Sequence, residues 1–368
     1  MLEFHRVFTL GLAMTMRNPD PDKLNALMGK LVGDLGAALT GALVLLGDQL
    51  GIYKAMADGA PGTPKDIARQ TKLKERYVRE WLSAQAAAGL VDYDAASGTF
   101  SLNPEQSMAL AQEGSPAFFA GAFQVAQSMW LDEPKIAKAF KTGKGVGWHQ
   151  HSACLFRGTE RFFRPGYNAN LVSSWIPALD GVEAKLKKGA VVADVGCGHG
   201  ASTILMAKAY PKSHFFGFDY HGPSIARAKL AAKEAGVDKR ILFQKAAAKD
   251  FPAKGYDVVA MFDCLHDMGD PVGAAKHVRK SLAKDGTWLL VEPFAGDALE
   301  ENLNPVGRIY YAASTMICTP ASLAQEVGLG LGAQAGEKRL RDVAARAGFK
   351  HFRRATQTPF NLVFEGRA

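Results

Sequence analysis

The run "ADVGCGHGAST" (193–203) decides how the chain is read. It joins an apolar strand, "GAVVADVG" (189–196), to a helical pattern over residues 201–210 through three glycines, Gly196, Gly198 and Gly200. Glycine lets the backbone turn tightly and approach a ligand, and the helix that follows presents free N–H groups. In an open α/β sheet, ligands bind at this carboxyl edge of the strands.

Outward from the loop, apolar strands alternate with amphipathic helices. "HFFGFD" (214–219) precedes a helix over 223–236, "ILFQKA" (241–246) follows, and "YDVVAMFD" (256–263) precedes a helix over 271–284 and the strand "GTWLLVEP" (286–293). This alternation predicts a doubly wound, Rossmann-like parallel sheet. The helix "RLRDVAARAGF" (339–349) then leads into "KHFRRATQT" (350–358) and "FNLVFEGR" (360–367), expected to complete seven strands as an antiparallel hairpin.

The loop's ligand is read from its neighbouring charge. G-x-G-x-x-A, ending at Ala201, would also suit NAD. Asp194, however, precedes the first glycine by two residues, and its carboxylate at the loop mouth would repel a pyrophosphate while pairing with the ammonium of a methionyl group. S-adenosylmethionine therefore fits better. Asp219 closes the second strand, at the usual distance for a carboxylate that binds ribose hydroxyls, a feature that NAD enzymes share. The structural alternatives are a cap for Asp194 and a tight turn without ligand for the glycines.

Before the sheet, residues 37–57 read as a long helix, and "TPKDIARQTKLKERYVREWLSAQAAAGLV" (63–91) as two helices joined near Thr71–Lys74. "LVDYD" (90–94) and "TFSLN" (99–103) then predict a short β-hairpin, completing a winged-helix pattern. Such a domain can bind DNA through its second helix, or serve only in dimerisation. Residues 1–110 carry 11 Lys+Arg against 12 Asp+Glu, so the +8 net charge of the 368-residue chain arises elsewhere. Phosphate neutralisation supplies most non-specific DNA affinity, so the expectation is a homodimerisation domain that does not engage nucleic acid.

The length suggests two domains, since single cores stop growing near ~250–300 residues. The division expected is an N-terminal extension over 1–30, a winged-helix dimerisation domain over 31–112, connecting helices that contribute to the pocket over 113–180, and a cofactor-binding domain over 181–368. Residues 1–16 show no cleavage pattern of a signal peptide. "LGAALTGALVLLG" (35–47) has 13 residues between Asp34 and Asp48, short of the ~18–20 that cross a bilayer, and reads as a buried helix without membrane contact. The four cysteines (154, 197, 264, 318) form no CxxC pair, which fits a reduced, cytoplasmic protein without disulfides or a metal cluster.

With "ADVGCGHG", "GFD", "CLHDMGD" (264–270), "LLVEP" and "AGF" in order, and "RFFRPGYNANL" (161–171) before them, the chain resembles the class I S-adenosylmethionine-dependent methyltransferases. More narrowly, it is similar to the two-domain winged-helix O-methyltransferases of the plant phenylpropanoid and acetylserotonin type and their bacterial relatives. The resemblance implies that Asp194 and the loop glycines hold the methionyl end, Asp219 the ribose, Ala246 and Ala247 the adenine edge, and that Phe262 lines the adenosyl pocket. It also implies that His266 matches the histidine that deprotonates the acceptor hydroxyl, with Glu292 flanking it. Met268 stands where the relatives have tryptophan, the second family glutamate has only an approximate counterpart in Glu337, and "GVGWHQHSACLF" (145–156) has no recognised counterpart.

A phenolic hydroxyl of pKa near ~10 needs a base at neutral pH, and a histidine near ~6.5 suits. The structural alternative for His266 is a polar residue capping a strand end. Asp267 and Asp270 are expected to cap the helix near Pro271. Trp148, His149 and His151 read as a wall of the substrate pocket, with surface residues or a metal pair as alternatives; no metal is expected. Tyr167 and Arg164 are candidates to face cofactor or substrate, and the remaining Met and Phe residues read as core. The expected function is methyl transfer from S-adenosylmethionine to a small-molecule acceptor, at a hydroxyl oxygen. The alternatives are an N-, S- or C-methyltransferase of the same fold, or a winged-helix regulator that senses the cofactor.

Overall fold

The structure, a computed structural model, describes residues 19–368, and the chain divides after Ser107 into two compact units. The expectations for residues 1–18 lie outside the described residues.

In the first unit, Asp20 accepts from the backbone N–H of Asp22 and Lys23, and Pro21 at the first helical position starts α1 (Pro21–Gln49). Residues 21–30, expected as an extension, are thus its first turns. The helix stops where Gly51 takes a left-handed conformation at φ 70°, before the short α2 (Ile52–Ala55). This breaks the single helix expected over 37–57.

The expected burial of this helix is also overturned. Only Gly41, Val44, Leu45 and Gly47 are buried, whereas Leu27, Leu31, Leu35 and Leu39 are exposed. The helical run extends well beyond the 13 residues read from sequence, because the charged Asp34 and Lys30 pair with each other across one turn and do not end it. With 29 residues and a mean hydropathy of 1.5 over its most apolar window, α1 is long and apolar enough to cross a membrane by length and composition.

The rest of the unit follows the winged-helix expectation. A reciprocal cap between Thr63 and Asp66 opens α3 (Pro64–Thr71), which is followed by α4 (Glu75–Ala87). The wing is β1 (Asp92–Asp94) against β2 (Thr99–Ser101), and Gly62 adds a bridge to Phe100. The Trp81 indole donates to the Leu43 carbonyl at 2.8 Å and ties α4 to α1.

After α5 (Pro104–Leu110), the second unit opens with α6 (Ala122–Thr142), α7 (Cys154–Asn170) and α8 (Val182–Lys188). The sheet then builds as β3 (Val191–Val195), α9 (Ala201–Ala209), β4 (His214–Asp219), α10 (Gly222–Glu234), β5 (Ile241–Lys245), β6 (Tyr256–Phe262), α11 (Pro271–Ser281) and β7 (Leu282–Pro293). Two segments that sequence reading left without an element follow, α12 (Pro305–Ala313) and α13 (Thr319–Leu323), joined by a π-helical turn over Ser314–Cys318. Then come α14 (Gly336–Arg346), β8 (His351–Gln357) and β9 (Asn361–Arg367).

The strand order is β5-β4-β3-β6-β7-β9-β8, with the first five parallel and the last two antiparallel. This is the seven-stranded sheet expected from sequence. Period-two alternation sends Val192, Val258, Ala260 and Phe262 to one face, against Trp175 and Ile225. Val195, Val259 and Met261 go to the other, against Trp288 and Leu340. Each large side chain buried this way contributes about 1.5–3 kcal/mol of transfer free energy. The helix expected over 271–284 ends three residues early because Leu282 already pairs with Tyr256 as the first residue of β7.

Candidate active site

Strand order reverses between β4 and β6 on either side of β3, so a crevice opens at the carboxyl ends of these strands. Gly196 sits there at φ 77°, where a Cβ would lie 2.7 Å from the Cys264 sulfur, so only glycine keeps the loop against β6. The second strand end contributes Asp219. Its carboxylate accepts from the N–H of Gly198 at 2.9 Å and of His221 at 2.8 Å and so fixes the loop. Burial pushes Asp219 upward despite these two donors.

Three cavities meet in this crevice. One, of about 120 Å³, is lined by Gly196, Gly198, Phe262, Tyr167 and Asp219. A second, of about 390 Å³, takes in Ala246, Ala247, Tyr220 and His149 together with Asp219. The third, of about 310 Å³, is almost wholly apolar, with Phe119, Phe123, Met129, Phe162 and Ile317 among its walls and His266, Asp263 and Asp267 at one end. Trp148 and Asp267 line all three.

His266 is positioned from the far side. Glu292 accepts the Leu265 N–H on one oxygen at 3.0 Å, which turns its other oxygen onto Nδ1 of His266 at 2.6 Å. This bond fixes the ring and leaves Nε2 as its second functional atom. Burial disfavours charge on His266, but Asp267 and Glu292 outweigh it and hold the imidazole well above its usual pKa.

Several expected residues stand elsewhere than their sequence reading. Asp270 caps α11 through the Gly273 N–H at 2.8 Å, but Asp267 does not cap it. Its Oδ1 lies 3.2 Å from Nε2 of His266, without the alignment of a hydrogen bond. The intervening 3-10 turn, Leu265–Asp267, rotates the side chain away from the helix start and into the cavities.

Asp194 lies beneath the loop. One of its oxygens accepts from Ser202 and Thr203, each at 2.6 Å, while Oδ1 is buried without a protein partner, and burial raises the group to about 6. Gly200 closes the loop over Phe243 and lines none of the three cavities. His151 is not a pocket wall: its Nδ1 is bound to the buried Asp132 at 3.0 Å, which also holds Ser152, and the ring is committed to that network. Arg164 lines none of the three cavities and pairs with Glu113 and with Glu160, which lines the loop cavity. Glu337 pairs with Arg341 and Arg354 on α14 and β8, away from His266.

Sequence reading missed Asp263 and the apolar walls. Phe119, Phe123, Met129 and Phe162, expected in the core, line the third cavity. The i, i+4 spacing of Phe119 and Phe123 was the available signal. Cys318 also faces this end. Its donor atom and those of His266 and Asp267 lie within 4.8 Å of one another, and burial pushes its thiol up to about 12.

The crevice has features suited to S-adenosylmethionine. Gly196 and Gly198 take left-handed conformations that expose the loop backbone to the cavity, and the buried Asp194 oxygen without a protein partner suits a donor such as an ammonium.

Comparison with known proteins agrees with this geometry. Residues 37–112 match the Rv2258c-like winged HTH domain, and residues 186–348 match a methyltransferase domain. The chain is 31% identical over 169 residues to 27-O-demethylrifamycin SV methyltransferase of Amycolatopsis mediterranei, covering 44% of this chain and 57% of that one. It is 30% identical over 113 residues to tRNA (guanine-N(7)-)-methyltransferase of Edwardsiella ictaluri, covering 30% and 43%. The chain thus spans about half the length of these curated relatives.

In fold it is similar to human N-acetylserotonin methyltransferase in complex with SAM, with a TM-score of 0.69 at 16% identity over 96% of this chain and 99% of that one. It is also similar to CalO1, a methyltransferase in calicheamicin biosynthesis in its SAH-bound form, with a TM-score of 0.64 at 18% identity over 95% and 99%. The chain thus carries a methyltransferase domain over residues 186–348, preceded in sequence by a winged helix-turn-helix domain, and its fold is that of the S-adenosylmethionine-dependent O-methyltransferases it is similar to.

Proposed function

We propose that the protein methylates a hydroxyl oxygen of an apolar, ring-sized small molecule, with His266 as general base. The observation that carries this reading is that His266 lines a largely apolar cavity with its Nδ1 anchored on Glu292. When bound, S-adenosylmethionine supplies an electrophilic methyl group. Asp219 would hold the ribose, Gly196 and Gly198 the methionyl end, Asp194 the ammonium through its free oxygen, and Ala246 and Ala247 the adenine.

Nε2 of His266 takes the proton of the acceptor hydroxyl, and Glu292 keeps the ring in the tautomer with Nδ1 protonated and stabilises the imidazolium that forms. The aromatic walls align the acceptor and exclude water. Base and carboxylate suffice for this step without a metal ion. No lysine or arginine occurs among the described residues lining the acceptor cavity, so a carboxylate or phosphate there would lose its hydration uncompensated. An apolar cavity of about 310 Å³ also favours a small molecule over the tRNA that one relative's name carries.

His266→Ala should lower turnover about 10²–10⁴-fold while leaving affinity for S-adenosylmethionine within threefold. Because the base must be neutral and its pKa is raised, wild-type turnover should climb with pH through a midpoint above about 6.5, and a chelator should not change it. Near wild-type turnover in the variant would move the acceptor to nitrogen, sulfur or carbon, with His266 only orienting it. The cofactor-sensing regulator is weakened by the balanced charge of the winged-helix region.

The exposed stripe Leu24, Leu27, Leu31, Leu35 and Leu39 on α1 is read as the surface on which a second copy packs, at helical spacing and without a covering element among the described residues of this unit. A dimer is expected in light scattering. Leu31→Glu with Leu35→Glu should return it to monomer, and a monomeric wild type would overturn this assignment.

A further inference from the structure

We propose that Asp263 is the counter-charge for the cofactor's sulfonium, so that the protein prefers the cationic methyl donor over its neutral product. The proposal rests on the cofactor reading above and adds a binding residue to it. Trp148, Thr159, Phe163, Asp263 and Asp267 line both the loop cavity and the acceptor cavity. This shared wall offers two aromatic rings, two carboxylates and no lysine or arginine, the chemistry that receives a cation.

The two carboxylates are not equivalent. Asp267 stands 3.2 Å from the His266 imidazole, which can balance it. Asp263 is hydrogen-bonded only to neutral groups, the Tyr167 hydroxyl donating to one oxygen at 2.9 Å and the Asn361 amide to the other at 2.8 Å, and the pull of the nearby His266 is outweighed by burial and Glu292. Among the described residues it forms no ion pair. A carboxylate out of bulk water without a cation is costly, and burial, with Glu292 nearby, pushes Asp263 up to about 8.

The backbone shows that this placement is imposed. Asp263 has φ 50°, in the left-handed region that non-glycine residues avoid, and its N–H is fixed on the Val291 carbonyl at 2.8 Å. The strain and both side-chain clamps hold the carboxylate where the two cavities join. Methyl transfer turns the sulfonium into a neutral thioether, so a counter-charge here strengthens donor binding and is lost with the product. It acts on the ground state, and its removal should affect binding more than turnover.

The test is calorimetry of S-adenosylmethionine and S-adenosylhomocysteine with wild type and Asp263→Asn. Asparagine keeps the shape and still accepts from Tyr167. The variant should bind S-adenosylmethionine at least tenfold more weakly and S-adenosylhomocysteine within threefold of wild type. In kinetics, KM for the donor should rise while kcat stays within about threefold.

Equal losses for both ligands, or no loss for either, would overturn the proposal and leave the cofactor assignment standing. A wild type that binds neither ligand would overturn both. Should Asp263→Asn not fold, the wild type alone decides: tighter binding of S-adenosylmethionine supports the counter-charge, and equal or tighter binding of S-adenosylhomocysteine removes it.

Discussion

The end of the crevice proposed for the methyl donor and the end proposed for the acceptor are built around different parts. The floor of the donor end is made from main chain and from groups close in sequence, Gly196 and Gly198 on the loop after β3 and Asp219 at the end of β4, bonded to the same loop, while its opposite wall is shared with the acceptor end. The acceptor end is made from side chains brought in by α6, α7, α12 and the turn over Ser314–Cys318, segments separated by up to about two hundred residues of chain. A backbone cradle needs fixed residue types at fixed spacing, because only glycine satisfies its conformation and its close contacts. An apolar wall needs only volume, which many side chains supply equally well.

This difference predicts how each end fails. The largest effect is expected from Asp219→Ala, which removes the carboxylate proposed to hold the ribose and also frees the N–H groups of Gly198 and His221. Charge-assisted hydrogen bonds contribute about 1.5–3 kcal/mol each, so affinity for S-adenosylmethionine should fall on the order of 100-fold in calorimetry. An unchanged affinity would break the assignment of the donor end.

The same contrast explains what could be read from the sequence. The sheet and its hairpin were legible because strand and helix periods alternate regularly and β6 and β7 are apolar on both faces. The motif "CLHDMGD" was legible in its parts: His266 and Glu292 do meet, and Asp270 does cap α11. Asp267 was not, since a 3-10 turn decides its direction and spacing alone does not reveal it.

His151 looked like its neighbours Trp148 and His149 until the fold placed Asp132, nineteen residues earlier, beside it. Asp263 carried no signal at all, because a left-handed aspartate at a strand end has no compositional mark. α1 was misjudged for another reason. Its apolar stretch was measured between two acidic residues, but one of these is neutralised by Lys30 on the helix itself and the helix continues past it.

Away from the wall that the two ends share, the acceptor end can be altered without touching the donor end, and Ile317 is the place to try. It is almost fully buried, lies on the turn over Ser314–Cys318, and lines the apolar cavity but neither of the other two. Replacing it with tryptophan inserts a bicyclic ring into about 310 Å³ of space. Overpacking costs typically about 1–3 kcal/mol when the surroundings cannot yield, but here part of the added volume can enter the cavity, so the expected loss of stability is at the low end.

Naphthol, a neutral aromatic alcohol of suitable size, serves as the probe, with its binding read by calorimetry. Ile317→Trp should weaken its binding on the order of tenfold, since about 1.4 kcal/mol of lost contact corresponds to that factor, and should leave affinity for S-adenosylmethionine within twofold. A parallel fall in cofactor affinity would show that the two ends share their packing, and the contrast drawn between them would then not hold.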